Sequence, residues 1–385
     1  MNSFVVRAPS TIHFGQNVAT KVGEEAKRFG AKRPLLVTDP FINSSGVLEP
    51  IVASLKAASL TSAIYYGVDK EPTMEHVEEC LKTQIDEKCD LLIAVGGGSP
   101  IDVAKAVSFL ATNKGVIQDY MGIDKVTIDA LPLIAVPTTA GTGSEVTATT
   151  IITDTSKNVK MLIISPRIIP KVALVDPMLT LGMPKALTAA TGLDAFTHAI
   201  EAYVSRKAHP ISDLFAISAV KLLSENLPLA WREPGNIEAR SKTLLGALEA
   251  GLAFSNSSVA LVHGMSRPVG AMFHVAHGVS NAALLGEVMD FSLSGNFPRY
   301  KDLAMAMGLA DLGDDIKTAK SGCQKVRQLI KELEVPSLSA LGVTAEKLGP
   351  VVSKMADDAL ASGSPANNPR LATKEEIIAL YQASL

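Results

Sequence analysis

The sequence predicts a two-domain protein, in which an α/β domain with a parallel sheet precedes an all-helical domain. In the first half, short apolar runs alternate with helical stretches, and one polar segment interrupts the alternation. After Pro184, strand-like runs are nearly absent. Alternating strands and helices imply crossover connections and a parallel sheet. We therefore predict an α/β domain over residues 1–183 and a helical domain over residues 184–385.

The strands of the first domain are predicted from runs that carry almost no polar residues, as expected for strands buried on both faces. These runs are Leu35–Thr38, Ala63–Gly67, Leu91–Val95, Leu133–Val136 and Val172–Val175. The predicted helices between the early strands are Val18–Phe29, Val47–Ala58, Met74–Lys88 and Ile101–Thr112.

Two segments depart from this alternation. Val146–Ser165 has two β-rich arms around a polar turn, which predicts a hairpin. Phe4–Phe14 contains Pro9 near its middle and predicts two short strands. As a hypothesis, this N-terminal segment pairs with a second copy across a two-fold axis and covers an exposed strand edge.

The helical domain is predicted from stretches with helical periodicity and few β-branched runs. These stretches are Ala186–Ser205, Pro210–Trp231, Ala239–Arg267, Tyr300–Met307, Ile316–Leu333 and Thr373–Gln382.

Composition excludes several classes of protein. Hydrophobic residues make up 47% of the 385 residues and charged residues 19%, so the chain can bury a large core and is not disordered. A net charge of −3 would not gather nucleic acid. The three cysteines are odd in number and lack metal-like spacing, which favours a reducing compartment.

We find neither a signal-peptide pattern nor an apolar run of the ~20 residues that span a bilayer, and expect a soluble, cytoplasmic protein without a nucleic-acid or membrane partner.

A glycine-rich turn follows the third predicted strand. Leu91–Val95 runs into Gly96-Gly97-Gly98-Ser99-Pro100, and the helix Ile101–Thr112 comes next. Glycines allow close approach of the backbone to a ligand, and a helix start offers free N–H groups and a positive dipole end. The pattern matches neither GxGxxG nor a P-loop. It predicts a phosphate or pyrophosphate site, although a tight strand-to-helix turn would have the same sequence.

Two further candidates for nucleotide contacts come directly after predicted strands. Asp39 follows Leu35–Thr38, and a carboxylate there can accept hydrogen bonds from ribose hydroxyls and repel a 2′-phosphate. Its alternative role is to start a turn before Pro40. The run from Pro137 to Ser144 is rich in glycine and hydroxyl side chains, which suits a nucleotide site but also an ordinary loop.

Asp194 and His198 are candidate metal ligands, because a spacing of four residues places both on one face of a helix, about 6 Å apart. An isolated pair of this kind is more often a hydrogen bond. His263 and His277 would lie about 21 Å apart along one straight helix. We expect a break at Pro268 and Gly270 that turns the chain back.

Three histidines and one aspartate would then form a four-ligand site. Nitrogen and oxygen ligands without sulfur suit one first-row divalent ion such as Fe(II) or Zn(II). His274 lies three residues before His277 and is expected to line the site.

With these motifs, the chain resembles the iron-containing (group III) alcohol dehydrogenase family over essentially its whole length. The segments that carry the resemblance are Gly96–Ala106, Pro137–Thr147, Asp176–Thr180, the helix with Asp194 and His198, and His263 with His277-Gly278. The resemblance implies an N-terminal Rossmann-like nucleotide-binding domain and a C-terminal all-α metal-binding domain.

The resemblance also implies roles for individual residues. Asp194, His198, His263 and His277 would bind the metal, and Gly96, Gly97, Gly98 and Ser99 would hold the pyrophosphate of NAD(P). The residues that would line the rest of the nucleotide site are Thr138, Thr139, Thr142, Ser144, Thr147, Thr149 and Lys160. Asp39 stands where family members that prefer NAD carry Asp, so NAD(H) is expected over NADP. Family members are often dimers or larger homo-oligomers.

Arg267 departs from the family pattern, which usually has a histidine four residues after the third ligand. A second departure is Leu284-Leu285-Gly286-Glu287, where many members have Leu-Leu-Pro-His. We expect the Arg267 guanidinium to clamp an anionic substrate group bidentately. Its alternative roles are to satisfy the last carbonyls of a helix or to pair with Glu287. Since arginine cannot shuttle protons, His274, a water or a ribose hydroxyl would do so.

The expected function is a metal-dependent, NAD(H)-linked alcohol dehydrogenase or aldehyde reductase, with a short anionic aldehyde such as sulfoacetaldehyde as substrate. Alternatives are a dehydrogenase for neutral short-chain alcohols or diols, a metal- and NAD-dependent lyase of the dehydroquinate synthase type, and a non-catalytic sensor of metal or nucleotide.

Overall fold

The structure is a computed structural model that describes residues 3–157 and 159–385. Residue 158, in the turn of the predicted hairpin, and residues 1 and 2 lie outside this description. Contacts divide the described chain into two compact units. One unit is Arg7–Gly182, and the other is Met183–Leu385 together with residues 3–6.

The strands of the first unit are β1 (Thr11–Phe14), β2 (Pro34–Val37), β3 (Ala63–Tyr65), β4 (Leu91–Gly96), β5 (Gly122–Ile123), β6 (Leu133–Pro137), β7 (Thr149–Asp154), β8 (Val159–Ile164) and β9 (Val172–Val175). Six of them form a parallel sheet with the order β1-β9-β6-β4-β2-β3, and a second, three-stranded sheet has the order β5-β8-β7. The helices are α1 (Val22–Arg28), α2 (Pro40–Ser44), α3 (Glu49–Ala57), α4 (Met74–Asp86) and α5 (Gly98–Leu110).

The apolar runs predicted as strands are confirmed, because each overlaps a strand of the parallel sheet. In β2, β4, β6 and β9 every residue is buried, as expected where helices cover both faces of a sheet. The hairpin is confirmed as well: β7 and β8 pair antiparallel, with Thr153 opposite Lys160.

The prediction of two strands in Phe4–Phe14 is wrong in part. Among the described residues of this segment, only Thr11–Phe14 forms a strand, and it pairs in parallel with β9 at the sheet edge. Pro9 lacks the N–H that a ladder requires. Residues 3–6 group instead with the helical unit, where Phe4 stacks on His209 with ring centroids 4.2 Å apart.

In its described part the second unit contains helices and no strand, which confirms the all-α prediction. Its helices are α6 (Lys185–Val204), α7 (Pro210–Arg232), α8 (Ile237–Asn256), α9 (Leu261–Phe273), α10 (His277–Ser292), α11 (Phe297–Ala306), α12 (Asp315–Glu332), α13 (Ala345–Leu348), α14 (Val352–Ala361) and α15 (Lys374–Ala383).

The single helix predicted over Ala239–Arg267 is wrong. The structure has two helices there, α8 and α9, bent by 102° relative to each other. Ser257 ends α8 in a non-helical conformation (φ −115°, ψ −82°), and its hydroxyl donates to the carbonyl of Ala202 on α6. The side-chain hydrogen bond competes with continuation of the helix, as hydroxyl residues do at helix ends.

The break predicted at Pro268 and Gly270 also lies elsewhere. Helix α9 continues through Pro268 to Phe273, because Met265 and Val269 on either side of the proline are fully buried and hold the helix in place. The chain turns at His274, which adopts a left-handed conformation (φ 56°) after the helix, and α10 begins at His277.

No single helix in the described chain is long and apolar enough to cross a membrane. The bent pair α8 and α9 passes such a test only when the two are taken together.

Candidate metal centre and nucleotide site

The ends of three neighbouring strands form the nucleotide-site candidate in the α/β unit. In the sheet, β4 lies between β2 and β6, and β3 lies on the far side of β2. The connection after β2 therefore leads to one side of that strand, and the next strand, β4, is added on its other side. Ligands of open α/β sheets bind at the carboxyl ends of the strands where the strand order reverses in this way. Asp39 follows β2, the glycine turn ends β4, and the hydroxyl-rich loop follows β6.

The glycine turn requires glycine for geometric reasons. Gly96 has φ 153°, and a Cβ there would lie 2.7 Å from Cγ of Pro100. Gly97 is the N-cap of α5, and Gly98 is its first residue. Because Gly97 has no side chain to cap the first turn, the N–H groups at the start of this 13-residue helix are available for an anion.

The hydroxyl-rich loop lies directly against this turn. A Cβ on Gly97 would lie 3.4 Å from the side chain of Thr139, and one on Gly98 would lie 2.9 Å from Cγ2 of Thr142. The backbone N–H of Thr138 donates to the carbonyl of Gly96 over 2.9 Å. The structure thus brings together the two motifs that the sequence keeps 40 residues apart.

Asp39 caps a helix with one carboxylate oxygen and directs the other toward the glycine turn. Its Oδ1 caps α2 by accepting from the N–H of Ile42 over 2.8 Å. Its Oδ2 points toward the glycine turn and lies 3.4 Å from a Cβ placed on Gly96. The two interpretations from the sequence are therefore compatible, because each uses a different oxygen.

Lys105 was missed by the sequence analysis. It is fully buried in α5, and its Nζ donates to Ser144 Oγ (3.0 Å), Thr147 Oγ1 (2.9 Å) and the carbonyl of Thr149 (2.7 Å). Burial lowers the pKa of Lys105 to about 8, against the opposing effect of Asp102. Lys105 and Asp102, three residues apart in a helix whose other residues carry no charge, were the signal for a buried polar network.

The same network holds the hydroxyl of Ser144 in place, since it donates to Asp102 Oδ1 over 2.6 Å while it accepts from Lys105. Lys160 lies apart from this network, on β8, where its Nζ pairs with Glu71 over 2.7 Å.

In the helical unit, the candidate metal ligands come from α6, α9 and α10. Asp194, His263 and His277 each offer one ligand atom, and these atoms lie within 4.8 Å of one another. His263 Nε2 is 3.5 Å from Asp194 Oδ1, and His277 Nε2 is 3.8 Å from the same oxygen. The break after Phe273 brings the two histidines together, as the sequence analysis required, although at a different residue.

His198 lies beside this group rather than within it. Its ring stacks between Phe254 and His263, with centroids 4.2 and 4.3 Å away, and its Nδ1 is 4.0 Å from Asp194 Oδ2. That Nδ1 is buried and has no hydrogen-bond partner in the described chain. A buried imidazole nitrogen without a partner is costly, and a metal ion would satisfy it.

Electrostatics agree with a cation site. Burial alone would raise the pKa of Asp194, but the surrounding histidines, His198 first, hold that pKa well below its usual range. Burial lowers the pKa of His198 to about 3, so its ring is neutral near pH 7, as a metal ligand must be. One carboxylate and neutral imidazoles are the donors that Fe(II) and Zn(II) accept, so the residues present fit such an ion.

Two further residues of the centre were missed. Asn281, one turn after His277 and fully buried, places Nδ2 2.6 Å from Asp194 Oδ1 and about 3 Å from Nε2 of each of the two grouped histidines (3.1 and 3.2 Å). Glu201, on α6, contacts the Nδ1 of His263. The spacing of Asp194, His198 and Glu201 (i, i+4, i+7) was a readable signal for one shared helix face.

Arg267 lies one turn after His263 on α9, and Nη1 donates to Ser364 Oγ over 3.0 Å. Burial lowers its pKa, against the attraction of Glu201. Among residues 3–157 and 159–385, no carboxylate lies within 4.0 Å of its guanidinium. Glu287, the suggested partner, pairs with Arg327 instead. His274 is exposed at the end of the same helix.

Two family models match the chain. The model described as iron-containing alcohol dehydrogenase matches residues 9–177, and the model for the C-terminal part of Fe-containing alcohol dehydrogenases matches residues 188–385. Together they cover both units.

Individual relatives match over the full length. The NAD-dependent methanol dehydrogenase of Bacillus methanolicus is 36% identical, with 100% of both chains covered. A solved structure of 1,3-propanediol oxidoreductase superposes with a TM-score of 0.97 at 36% identity and covers 100% of both chains. Sulfoacetaldehyde reductase from Bifidobacterium kashiwanohense, solved with NAD+, has a TM-score of 0.90 at 29% identity and covers 100% of this chain and 99% of its own.

Proposed function

The chain belongs to the iron-containing alcohol dehydrogenase family and is an NAD-dependent alcohol dehydrogenase, and we propose that it interconverts a short anionic aldehyde and its alcohol. Sulfoacetaldehyde is the example that we favour. The lyase and the non-catalytic sensor lose their support, because the family models and full-length relatives are those of dehydrogenases.

The observation that carries this substrate is the environment of Arg267. Its side chain is partly buried one turn from His263, and its hydrogen-bond partner is the neutral hydroxyl of Ser364. A buried charge is stable when it is paired. An anionic substrate group would supply that pair, and the planar guanidinium could bind a sulfonate or carboxylate through two parallel hydrogen bonds.

We assign the metal to Asp194, His198, His263 and His277. When bound, Fe(II) or Zn(II) supplies Lewis-acid polarisation of a carbonyl, and NAD(H) supplies hydride exchange. Asp194 contributes the single negative charge among these ligands, so the centre keeps a net positive charge that favours an anionic substrate. Arg267 adds to that positive charge and fixes the orientation of the substrate.

We assign the nucleotide to the ends of β2, β4 and β6. Asp39 would accept from the ribose and disfavour a 2′-phosphate, which supports NAD over NADP. The residues proposed for the pyrophosphate are Gly96, Gly97, Gly98 and Ser99. Those proposed for the remainder are Thr138, Thr139, Thr142, Ser144, Thr147, Thr149 and Lys160. Ser144 and Thr147 would present hydroxyls that are already oriented by Lys105.

The proton relay cannot pass through Arg267, because a guanidinium stays protonated. His274 remains the candidate, since imidazole exchanges protons near neutral pH. A homodimeric or larger assembly and a cytoplasmic location remain predictions from the sequence.

A panel of aldehydes with NADH tests the substrate. We expect kcat/KM for sulfoacetaldehyde to exceed that for propanal by about 10²-fold, the effect of ~3 kcal/mol from a charge-assisted contact. A preference for propanal or for 3-hydroxypropanal would favour a neutral-alcohol dehydrogenase instead.

A further inference from the structure

Glu201 is a buried carboxylate that the proposed reaction does not yet use. It lies on α6, is only 2% exposed, and accepts three hydrogen bonds. The backbone N–H groups of Ala260 and Val262 donate to it over 2.9 and 2.5 Å, and Nδ1 of His263 lies 2.6 Å from its Oε2. All three partners lie within four consecutive residues at the start of α9.

The two backbone contacts cap α9 from outside the helix. Ala260 is the N-cap residue and has no side-chain oxygen, so the first N–H groups of α9 would otherwise lack a partner. The carboxylate of Glu201 takes that role immediately after the 102° bend between α8 and α9. Negative charge at a helix N-terminus is favourable because of the helix dipole.

The third contact fixes the ring of His263. Both oxygens of Glu201 already accept from the backbone N–H groups of Ala260 and Val262, so the carboxylate is an acceptor toward the ring as well. The hydrogen of the ring therefore lies on Nδ1 and the lone pair on Nε2. Nε2 faces the metal group, 3.5 Å from Asp194 Oδ1. Metal-binding histidines are commonly oriented by a carboxylate on the other ring nitrogen, and loss of such a partner weakens metal binding.

We propose that Glu201 is the positioning residue of the metal centre. One carboxylate holds both the start of α9 and the Nδ1 of His263, and it thereby presents Nε2 to the divalent ion in the correct tautomer. This inference rests on the proposed function, in which His263 is a metal ligand.

A purely structural cap would not need this residue. Ser, Asp or Asn at position 260 would cap α9 without burying a carboxylate from another helix. The combination of a distant, buried carboxylate with a ring contact of 2.6 Å is what a positioning role requires.

The test compares Glu201→Gln with the unaltered protein in its affinity for Zn(II), measured by competition with a chromophoric chelator. Glutamine keeps the size but not the charge of glutamate. We expect Zn(II) affinity to fall 10- to 100-fold, the usual cost of removing such a partner. The dissociation constant of NAD should change by less than twofold. Zn(II) affinity within threefold of the original would overturn the inference.

The matched control is Glu249→Gln, the same change at a partly buried carboxylate of α8, whose Oε2 has no hydrogen-bond partner in the described chain. It should leave Zn(II) affinity unchanged. An equal loss in both variants would mean that Glu201 acts through general stability, and the positioning role would be rejected.

His263→Ala separates this inference from the function on which it rests. If His263→Ala retains Zn(II), the metal assignment itself fails. If His263→Ala loses Zn(II) while Glu201→Gln retains it, only the role of Glu201 fails.

A second measurement covers the case in which Glu201→Gln does not fold. In ¹⁵N-histidine-labelled, zinc-loaded wild-type protein, long-range ¹H–¹⁵N spectra report which ring nitrogen of His263 carries hydrogen, with His263→Gln as the assignment control. We expect the hydrogen on Nδ1. Hydrogen on Nε2 would overturn the proposal.

Discussion

The proposed nucleotide site and the proposed metal centre differ in what holds their groups in place. In the α/β unit, Gly96–Ser99 form one continuous stretch, and the strand end and helix start position its backbone groups. In the helical unit, Asp194, His263 and His277 come from three helices, and other side chains hold them in place. The glycine turn should therefore be sensitive to added atoms, whereas the metal centre should fail when a side chain is removed.

The largest effect that this comparison predicts is that of His263→Ala. The variant should lose its bound metal and lower kcat/KM by about 10³-fold or more, because several kcal/mol of Lewis-acid stabilisation disappear with the ion. Metal content by elemental analysis and steady-state kinetics check this. His13→Ala, a histidine of the α/β unit that contacts Glu25, should keep a full equivalent of metal. A full equivalent in His263→Ala would refute the ligand assignment.

Arg267→Ala should give the next largest effect. It distinguishes recognition of the substrate's charge from binding of the metal, because it should change the first and not the second. We expect kcat/KM for the anionic aldehyde to fall about 10²-fold, in line with ~3 kcal/mol for a charge-assisted contact. Activity toward a neutral aldehyde of equal length should change little, and metal content should not change.

Arg327→Ala serves as the matched control, because this guanidinium pairs with Glu287 and Asp290. It should leave the ratio of the two activities as it is. Equal losses on both aldehydes in Arg267→Ala would mean that the residue shapes the site without recognising charge.

The two regions also differ in how far the sequence predicts them. The strands and the glycine turn follow from local patterns, since buried strands lack polar residues and a helix start after glycines is legible in one stretch of chain. The bends at Ser257 and His274 were misplaced. They depend on contacts with distant residues, such as the hydrogen bond from Ser257 to Ala202, and no periodicity reveals these.

The same reason explains which site residues were missed. The candidate metal ligands were identified because aspartate and histidine are residue types that bind metals. Glu201 and Asn281 were not found because their roles come from contacts with other side chains. Lys105 was passed over although it and Asp102 are the two charged residues of α5 and lie three residues apart, which gave a local signal.

Gly98→Ala tests the backbone-built site in the direction to which it should be sensitive. The added Cβ would lie 2.9 Å from Cγ2 of Thr142, so the turn or the threonine must shift. We expect NAD to bind about tenfold more weakly, equivalent to ~1.4 kcal/mol, with unchanged metal content. Isothermal titration with NAD measures this.

Gly182→Ala is the control for that experiment, because a Cβ there meets nothing within 4 Å. The double variant Gly98→Ala with Thr142→Ser, which removes Cγ2, should recover part of the affinity. Unchanged NAD affinity in Gly98→Ala would show that the nucleotide does not approach this turn closely.

The smallest effect is expected at Asp39, whose side chain lies beside the backbone-built glycine turn. Asparagine caps a helix about as well as aspartate, so Asp39→Asn should keep the hydrogen bond to Ile42 and remove only the charge. A half-exposed carboxylate about 4 Å from a phosphate is worth ~1 kcal/mol of repulsion, so the preference for NAD over NADP should fall about fivefold. Asp39→Ala should show the same cofactor ratio and should also lower the free energy of unfolding by about 1 kcal/mol through loss of the cap. Kinetics with NAD and NADP measure the contribution of Oδ2 to cofactor choice, and denaturant unfolding measures the contribution of Oδ1 to stability. If Asp39→Asn leaves the cofactor ratio unchanged while Asp39→Ala loses stability, then Oδ1 and its cap account for the residue, and Oδ2 does not recognise the nucleotide.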